Sequence, residues 1–95
     1  MYSKGLIYNL AMASNAVEYS QALQANTKKA VVRSRNGGDL KLALVSGETA
    51  TVFFTIPAGG SFAIDAVFLR NPTLYLKSTI NTDVAEILTY GDFAT

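Results

Sequence analysis

The chain contains no cysteine. Disulfide staples and thiolate metal sites are excluded, and the redox compartment is left open. Histidine is absent too, which removes the commonest general base and the commonest metal ligand. Chemistry would have to rest on carboxylates, Lys, Tyr, Ser or Thr. Ser46 and Ser61 have no imidazole to activate them. The acids Glu18, Asp39, Glu48, Asp65, Asp83, Glu86 and Asp92 are scattered. A glycosidase holds two carboxyls across a cleft, a pairing that spacing along one chain does not reveal. Calcium loops space their oxygen ligands closely around a glycine, and no such spacing occurs. The expectation is a protein that is not an enzyme, with no catalytic residue, cofactor or metal. There is also little charge excess. A net charge of +1 creates no strong field to draw polyanions. No run nears the roughly 18 apolar residues that span a bilayer. No internal repeat, low-complexity tract or linker interrupts the chain.

What is present is apolar. A composition that is 49% apolar and 16% charged argues against disorder. Ninety-five residues make one small domain, burying about two-thirds of its unfolded surface. Its core is modest, and partner subunits can complete it. Turn-forming residues cluster at Ser14-Asn15, Ala25-Asn26-Thr27, Asn36-Gly37-Gly38-Asp39, Ser46-Gly47-Glu48, Pro57-Ala58-Gly59-Gly60, Asn71-Pro72 and Asn81-Thr82-Asp83. The short gaps between them suit an all-β fold, a small antiparallel sandwich or barrel. The gaps also alternate. Ala30 and Val32 oppose Val31, Arg33 and Arg35. Leu40, Leu42 and Leu44 oppose Lys41 and Ala43. Val52, Phe54 and Ile56 oppose Thr51, Phe53 and Thr55. Leu74 and Leu76 oppose Tyr75 and Lys77. Period-two alternation marks half-buried strands, and the loops are too short for crossover helices. Helical readings are weak, a turn or two at Leu6 to Ala13 and Glu18 to Ala25. At Pro57 to Gly60 the chain reverses, returning Phe62 and Ile64 to the core.

Lys28, Lys29, Arg33, Arg35 and Lys41 are five of the eight basic residues. Asn36 to Asp39 is strong hairpin chemistry. If Val32 pairs near Leu42, Arg33, Arg35 and Lys41 share one outward face. That face is a solvated surface, a salt-bridging protein interface or a nucleic-acid grip. The last would interleave stacking aromatics with the charges, and this stretch has none, so no nucleic acid is expected as a partner. Asp65 and Glu86 suit inward charges on edge strands, a device against aggregation.

Apolar residues remain on the outward rows. Phe53 falls on the polar face of its strand, and Leu88 and Tyr90 lie with Val84 and Glu86 opposite Ala85 and Ile87. Apolar residues on both faces call for a second sheet or a subunit contact. The segment 1–15, an N-terminal arm or first strand preceding a single β domain at 16–95, carries Leu6, Ile7 and Tyr8. Its Lys, apolar stretch and Ala-x-Ala motif have the ingredients of a secretory signal, but the stretch is short and broken by Asn9. This arm and the tail "YGDFAT" dock either onto their own domain or onto a neighbour.

The segments "EYSQALQANTKKAVVRSRNGGDLKLAL" and "TVFFTIPAGGSFAIDAVFLRNPTLYLKSTINTDVAEILTYG" resemble short proteins encoded among the structural genes of tailed bacteriophages. The shared pattern runs from a strand ending at "TKK" through the "TIPAG" turn and "LYL" to a closing "VAEI". It covers about residues 17 to 91. The resemblance implies a β-sandwich virion component, most readily a head-decoration (cement) protein on the outer surface of the head, stabilising the shell. Its implied partners are the major capsid protein and copies of itself, with trimers favoured, and no membrane. A tail, neck or fibre component is the alternative. Tyr19, Gln21 and Tyr75 would serve carbohydrate binding there. The interface residues expected are Leu6, Ile7, Tyr8, Arg33, Arg35, Lys41, Phe53, Leu88 and Tyr90.

Overall fold

The computed structural model describes residues 4–65 and 73–91. Its strands are β1 (Lys4–Met12), β2 (Tyr19–Ala22), β3 (Thr27–Ser34), β4 (Leu40–Ala43), β5 (Phe54–Ile56), β6 (Ser61–Asp65), β7 (Thr73–Ser78) and β8 (Asp83–Gly91). A single 3-10 turn, Glu48–Ala50, precedes β5. The first sheet has the order β1-β8-β3-β6 and the second β2-β7-β4-β5. Every neighbouring pair is antiparallel. This interleaving of two Greek keys over two sheets is the jelly-roll order. The all-β, antiparallel class expected from the alternation is the class observed.

The core follows from the same alternation. Ala30 and Val32 on β3, Leu40 and Leu42 on β4, Leu74 and Leu76 on β7, and Ala85 and Ile87 on β8 are all buried between the sheets. Met12, Leu23 and Ile56 join them, with Tyr8, Leu10, Tyr19, Phe62 and Ile64 packed around the margin. Each large aliphatic side chain so buried contributes roughly 1.5–3 kcal/mol.

Polar residues continue the inward rows at one end. Ser34, Ser78 and Asp83 fall on the same parity as the core residues of β3, β7 and β8. The Ser34 hydroxyl lies 2.7 Å and the Ser78 hydroxyl 2.7 Å from Asp83 Oδ2. The backbone N–H groups of Val84 and Asn36 donate to Oδ1 at 2.8 and 3.2 Å. Asp83 is 1% exposed, so burial pushes its carboxyl up, but these four donors outweigh that and hold it below the ordinary aspartate range. The group ties β3 and β8 of one sheet to β7 of the other. Gly38 is buried against it, where a Cβ would lie 2.6 Å from Ser78 Oγ and 2.8 Å from Asp83 Oδ2.

The surrounding loops are knit to one another. Thr82 N–H donates to Ala13 O at 3.1 Å, and Asp39 O accepts from Thr79 N–H at 3.0 Å. Asn15 N–H reaches Asn81 Oδ1, Asn36 Nδ2 reaches Thr82 O, and Ala58 N–H reaches Asp39 Oδ1. The Pro57–Gly60 turn closes with a Gly60 N–H to Pro57 O bond of 2.9 Å, Gly59 taking φ +79.

Several expectations are corrected. Asn36 to Asp39 does turn the chain, with Gly37 at φ +87, but it passes from one sheet to the other. β3 pairs with β8 and β6, and β4 with β5 and β7. Arg33 and Arg35 therefore do not share a face with Lys41. Glu86 lies on β8, an interior strand rather than an edge. Strand β5 begins only at Phe54, so Val52 and Phe54 are 66% and 53% exposed. Leu44 follows the end of β4 and is exposed as well. The two weak helical readings are strands β1 and β2. The Asn71-Pro72 turn and residues 92–95 of the tail lie outside the described residues.

Candidate functional site

The outer face of the first sheet is built of cross-strand rungs. Register places Ile7 beside Leu88, Leu88 beside Val31, and Val31 beside Ala63. This apolar rung crosses all four strands. Ile7 is 71% exposed, while Val31 and Leu88 are half-buried. One rung further, Asn9, Glu86, Arg33 and Ser61 stand abreast. On the other side come Gly5, Tyr90 and Lys29.

The polar rung is a charge network. Arg33 Nε donates to Glu86 Oε1 at 2.7 Å and Arg35 Nε to Oε2 at 2.8 Å. Arg35 Nη2 also donates to Asn9 Oδ1 at 3.0 Å, so the network joins β3, β8 and β1. The Arg35 and Arg33 guanidiniums hold the Glu86 carboxyl below the usual glutamate range. Two guanidiniums against one carboxylate leave a positive excess at this spot. Exposed ion pairs add at most about 1 kcal/mol of stability, so the network serves orientation more than folding. Between the rungs lies a shallow depression of about 350 Å³, lined by Ile7, Asn9, Val31, Arg33, Glu86 and Leu88.

The outer face of the second sheet is different. The segment after β4 folds back across it, seating the 3-10 turn against β4 and β7. Glu18 clamps this cover. Its carboxylate accepts from Gly47 N–H at 2.9 Å, Thr49 N–H at 3.2 Å and Thr49 Oγ1 at 2.8 Å. The Gly47 and Thr49 bonds, helped by the charge of Lys77, hold the Glu18 carboxyl below the ordinary glutamate pKa range. Ala43 is buried beneath the cover, and Thr49 is the buried residue of the turn itself. Lys41 Nζ sits 5.0 Å from the centroid of the Phe53 ring, within cation–π range. Phe54 stacks on Phe62 at 4.3 Å between centroids, bridging β5 and β6.

The structure thus divides the expected interface residues. Ile7, Arg33, Arg35, Leu88 and Tyr90 come together on the first sheet. Lys41 and Phe53 sit together on the second. Leu6 and Tyr8 take the opposite parity of β1 and point inward. Tyr8 packs on the core and its hydroxyl accepts from Gln24 N–H at 3.0 Å. Val31 and Asn9 complete the face; Val31 had been read as outward but not as an interface residue, and Asn9 had not been placed at all. The signal was their parity with Arg33 and Ile7. Of the trio suited to carbohydrate, Tyr19 packs on the core margin, whereas register puts Tyr75 on the opposite side of the second sheet.

No family model matches the chain, and no curated protein matches it. Among solved structures, it is similar to a de novo designed double-stranded β-helix solved by solution NMR. The two share a TM-score of 0.52 at 9% identity, over 93% of this chain and 99% of the design. At that identity the likeness supports the fold alone.

Proposed function

We propose that this chain is a bacteriophage virion structural protein, a decoration protein that binds the head shell from outside by non-covalent contacts with the major capsid protein. The observation that carries the reading is the first-sheet face, an apolar rung beside an Arg33–Glu86–Arg35 network. Apolar contact supplies adhesion there, and the fixed charges set register. Many weakly bound copies on one particle add up to firm attachment. The jelly-roll order, frequent in capsid domains, is a fold-level analogy in support. The depression between the rungs favours a second reading, a tail or fibre component whose Asn9, Arg33, Glu86 and Ser61 meet a polar receptor group.

A protein gel of purified particles separates the readings. A band near-stoichiometric with the major capsid protein is the expected result. A few copies per particle would support the tail or fibre reading, and absence from the particle would overturn both.

A further inference from the structure

The first sheet ends on one side at β1, whose outer edge pairs with no other strand among the described residues. Exposed edges invite pairing with another chain, and proteins blunt them with brevity, charge, proline or bulges. Of the other edges, β2 has four residues and β5 three, and β6 has five among the described residues. β1 has nine, and from Gly5 to Met12 it carries neither charge nor proline. Its register with β8 runs unbroken from Lys4 to Met12, so no bulge twists it away. Near its middle stands Ile7, the most exposed large apolar side chain among the described residues.

The geometry points to a second copy of this chain as the occupant, its β1 paired antiparallel with this β1 about a twofold axis at Ile7. A backbone edge accepts only another strand, and this strand is uncharged along the stretch that would pair. In the register with Ile7 opposite Ile7, Leu6 faces Tyr8 and Gly5 faces Asn9 of the second copy. The lysines at position 4 then fall at opposite ends of the ladder, so like charges never meet. Directly opposed residues point to the same side of a sheet. The apolar rung Ala63–Val31–Leu88–Ile7 therefore continues into its own image, giving one apolar row across an eight-stranded sheet. Registers shifted by two residues break that row. The twofold differs from the threefold symmetry that the phage resemblance implies, and it stands independently of attachment to a shell.

The test is sedimentation velocity of the purified full chain over a concentration series, beside Ile7→Lys and Ile7→Cys. The chain has no cysteine of its own, so any disulfide reports the introduced site. Opposed residues of antiparallel strands lie about 4.5–5.5 Å apart at Cα, within disulfide reach. Wild type should form a concentration-dependent dimer, weakened at least roughly tenfold in Ile7→Lys by two opposed charges. Under mild oxidation Ile7→Cys should cross-link roughly tenfold or more faster than Val52→Cys, a comparably exposed control, because pairing holds the thiols together. A monomer at every concentration, a trimer, an undiminished Ile7→Lys dimer, or equal cross-linking at positions 7 and 52 would each overturn the pairing. Should Ile7→Lys fail to fold, the cysteine comparison decides alone.

Discussion

The two sheets alternate in the same way, yet their outer faces have opposite fates. Part of the second sheet is covered by its own chain, where the 3-10 turn seats on β4 and β7, although Phe53 stays exposed. The stretch between β4 and β5 lies over it, held by Glu18 bonds to Gly47 and Thr49, and Lys41 is drawn over Phe53. Among the described residues the first sheet presents its own side chains, an apolar rung and a cationic network fixed at Glu86. Outward apolar residues therefore mean different things in the two places. On the second sheet they accompany a loop that already has its contacts. On the first, Ile7 stands open among the described residues, and this asymmetry is the basis of the proposed reading.

Substitutions can break that contrast, and the largest effect is expected where the two sheets are joined. Asp83→Ala strands the buried Ser78 hydroxyl, the half-buried Ser34 hydroxyl and two backbone N–H groups. A loss of at least about 3 kcal/mol is expected in chemical denaturation, with both sheets failing in one transition. Gly38→Ala pushes a methyl into the same group and should cost about 1–3 kcal/mol. Glu18→Ala should act on one face only. A small loss of stability is expected, with faster hydrogen exchange at Gly47 and Thr49 and unchanged exchange along β8. Uniformly faster exchange would mean that the cover is not an independent element. Thr82 holds φ +55, costly for a β-branched residue. Thr82→Asn should therefore stabilise by up to about 1 kcal/mol in thermal melts. Smallest for stability, and largest for adhesion, is Arg33→Ala. Its melting should shift within about 0.5 kcal/mol of wild type while attachment weakens.

Acid sharpens the same picture. Asp83, Glu86 and Glu18 all have folded-state pKa values below their ordinary ones. Their contribution is complete above the unfolded carboxylate range near about pH 4 and is lost as pH falls through the lower folded values. Stability should be level near neutrality and decline below about pH 4.5. Asp83→Asn should flatten the decline more than Glu86→Gln, since the exposed pair is screened by water. Equal flattening by the two would deny Asp83 its place as the joint.

Much of the fold was legible because alternation is local. The inward rows of β3, β7 and β8 could be read residue by residue, ending at Ala30 and Val32, Leu74 and Leu76, and Ala85 and Ile87. Strand partnership was not. The glycines of Asn36 to Asp39 announce a reversal but not the sheet the chain enters next. Gly38 is required by Ser78 and Asp83, about forty residues away, not by its own turn. The Asp83 joint left one trace. Ser34, Ser78 and Asp83 continue the inward parity of three strands, and polar residues there must find one another. Phe53 and Phe54 misled because "TVFFTI" alternates like a strand, although the chain arrives from the cover and joins the sheet only at Phe54. Of the first-sheet face, Arg33, Arg35, Leu88 and Tyr90 were visible as outward residues, whereas Ile7 was named only with Leu6 and Tyr8 on one arm, its face unassigned. Their convergence depended on β8 lying between β1 and β3, which no local pattern states.

The most direct test compares Leu88→Asp on the bare face with Tyr75→Asp on the covered one, each mixed with phage heads stripped of this protein and sedimented. The account predicts that wild type and Tyr75→Asp travel with the heads while Leu88→Asp, still folded, stays in solution. Attachment of Leu88→Asp, or loss of Tyr75→Asp alone, would contradict it.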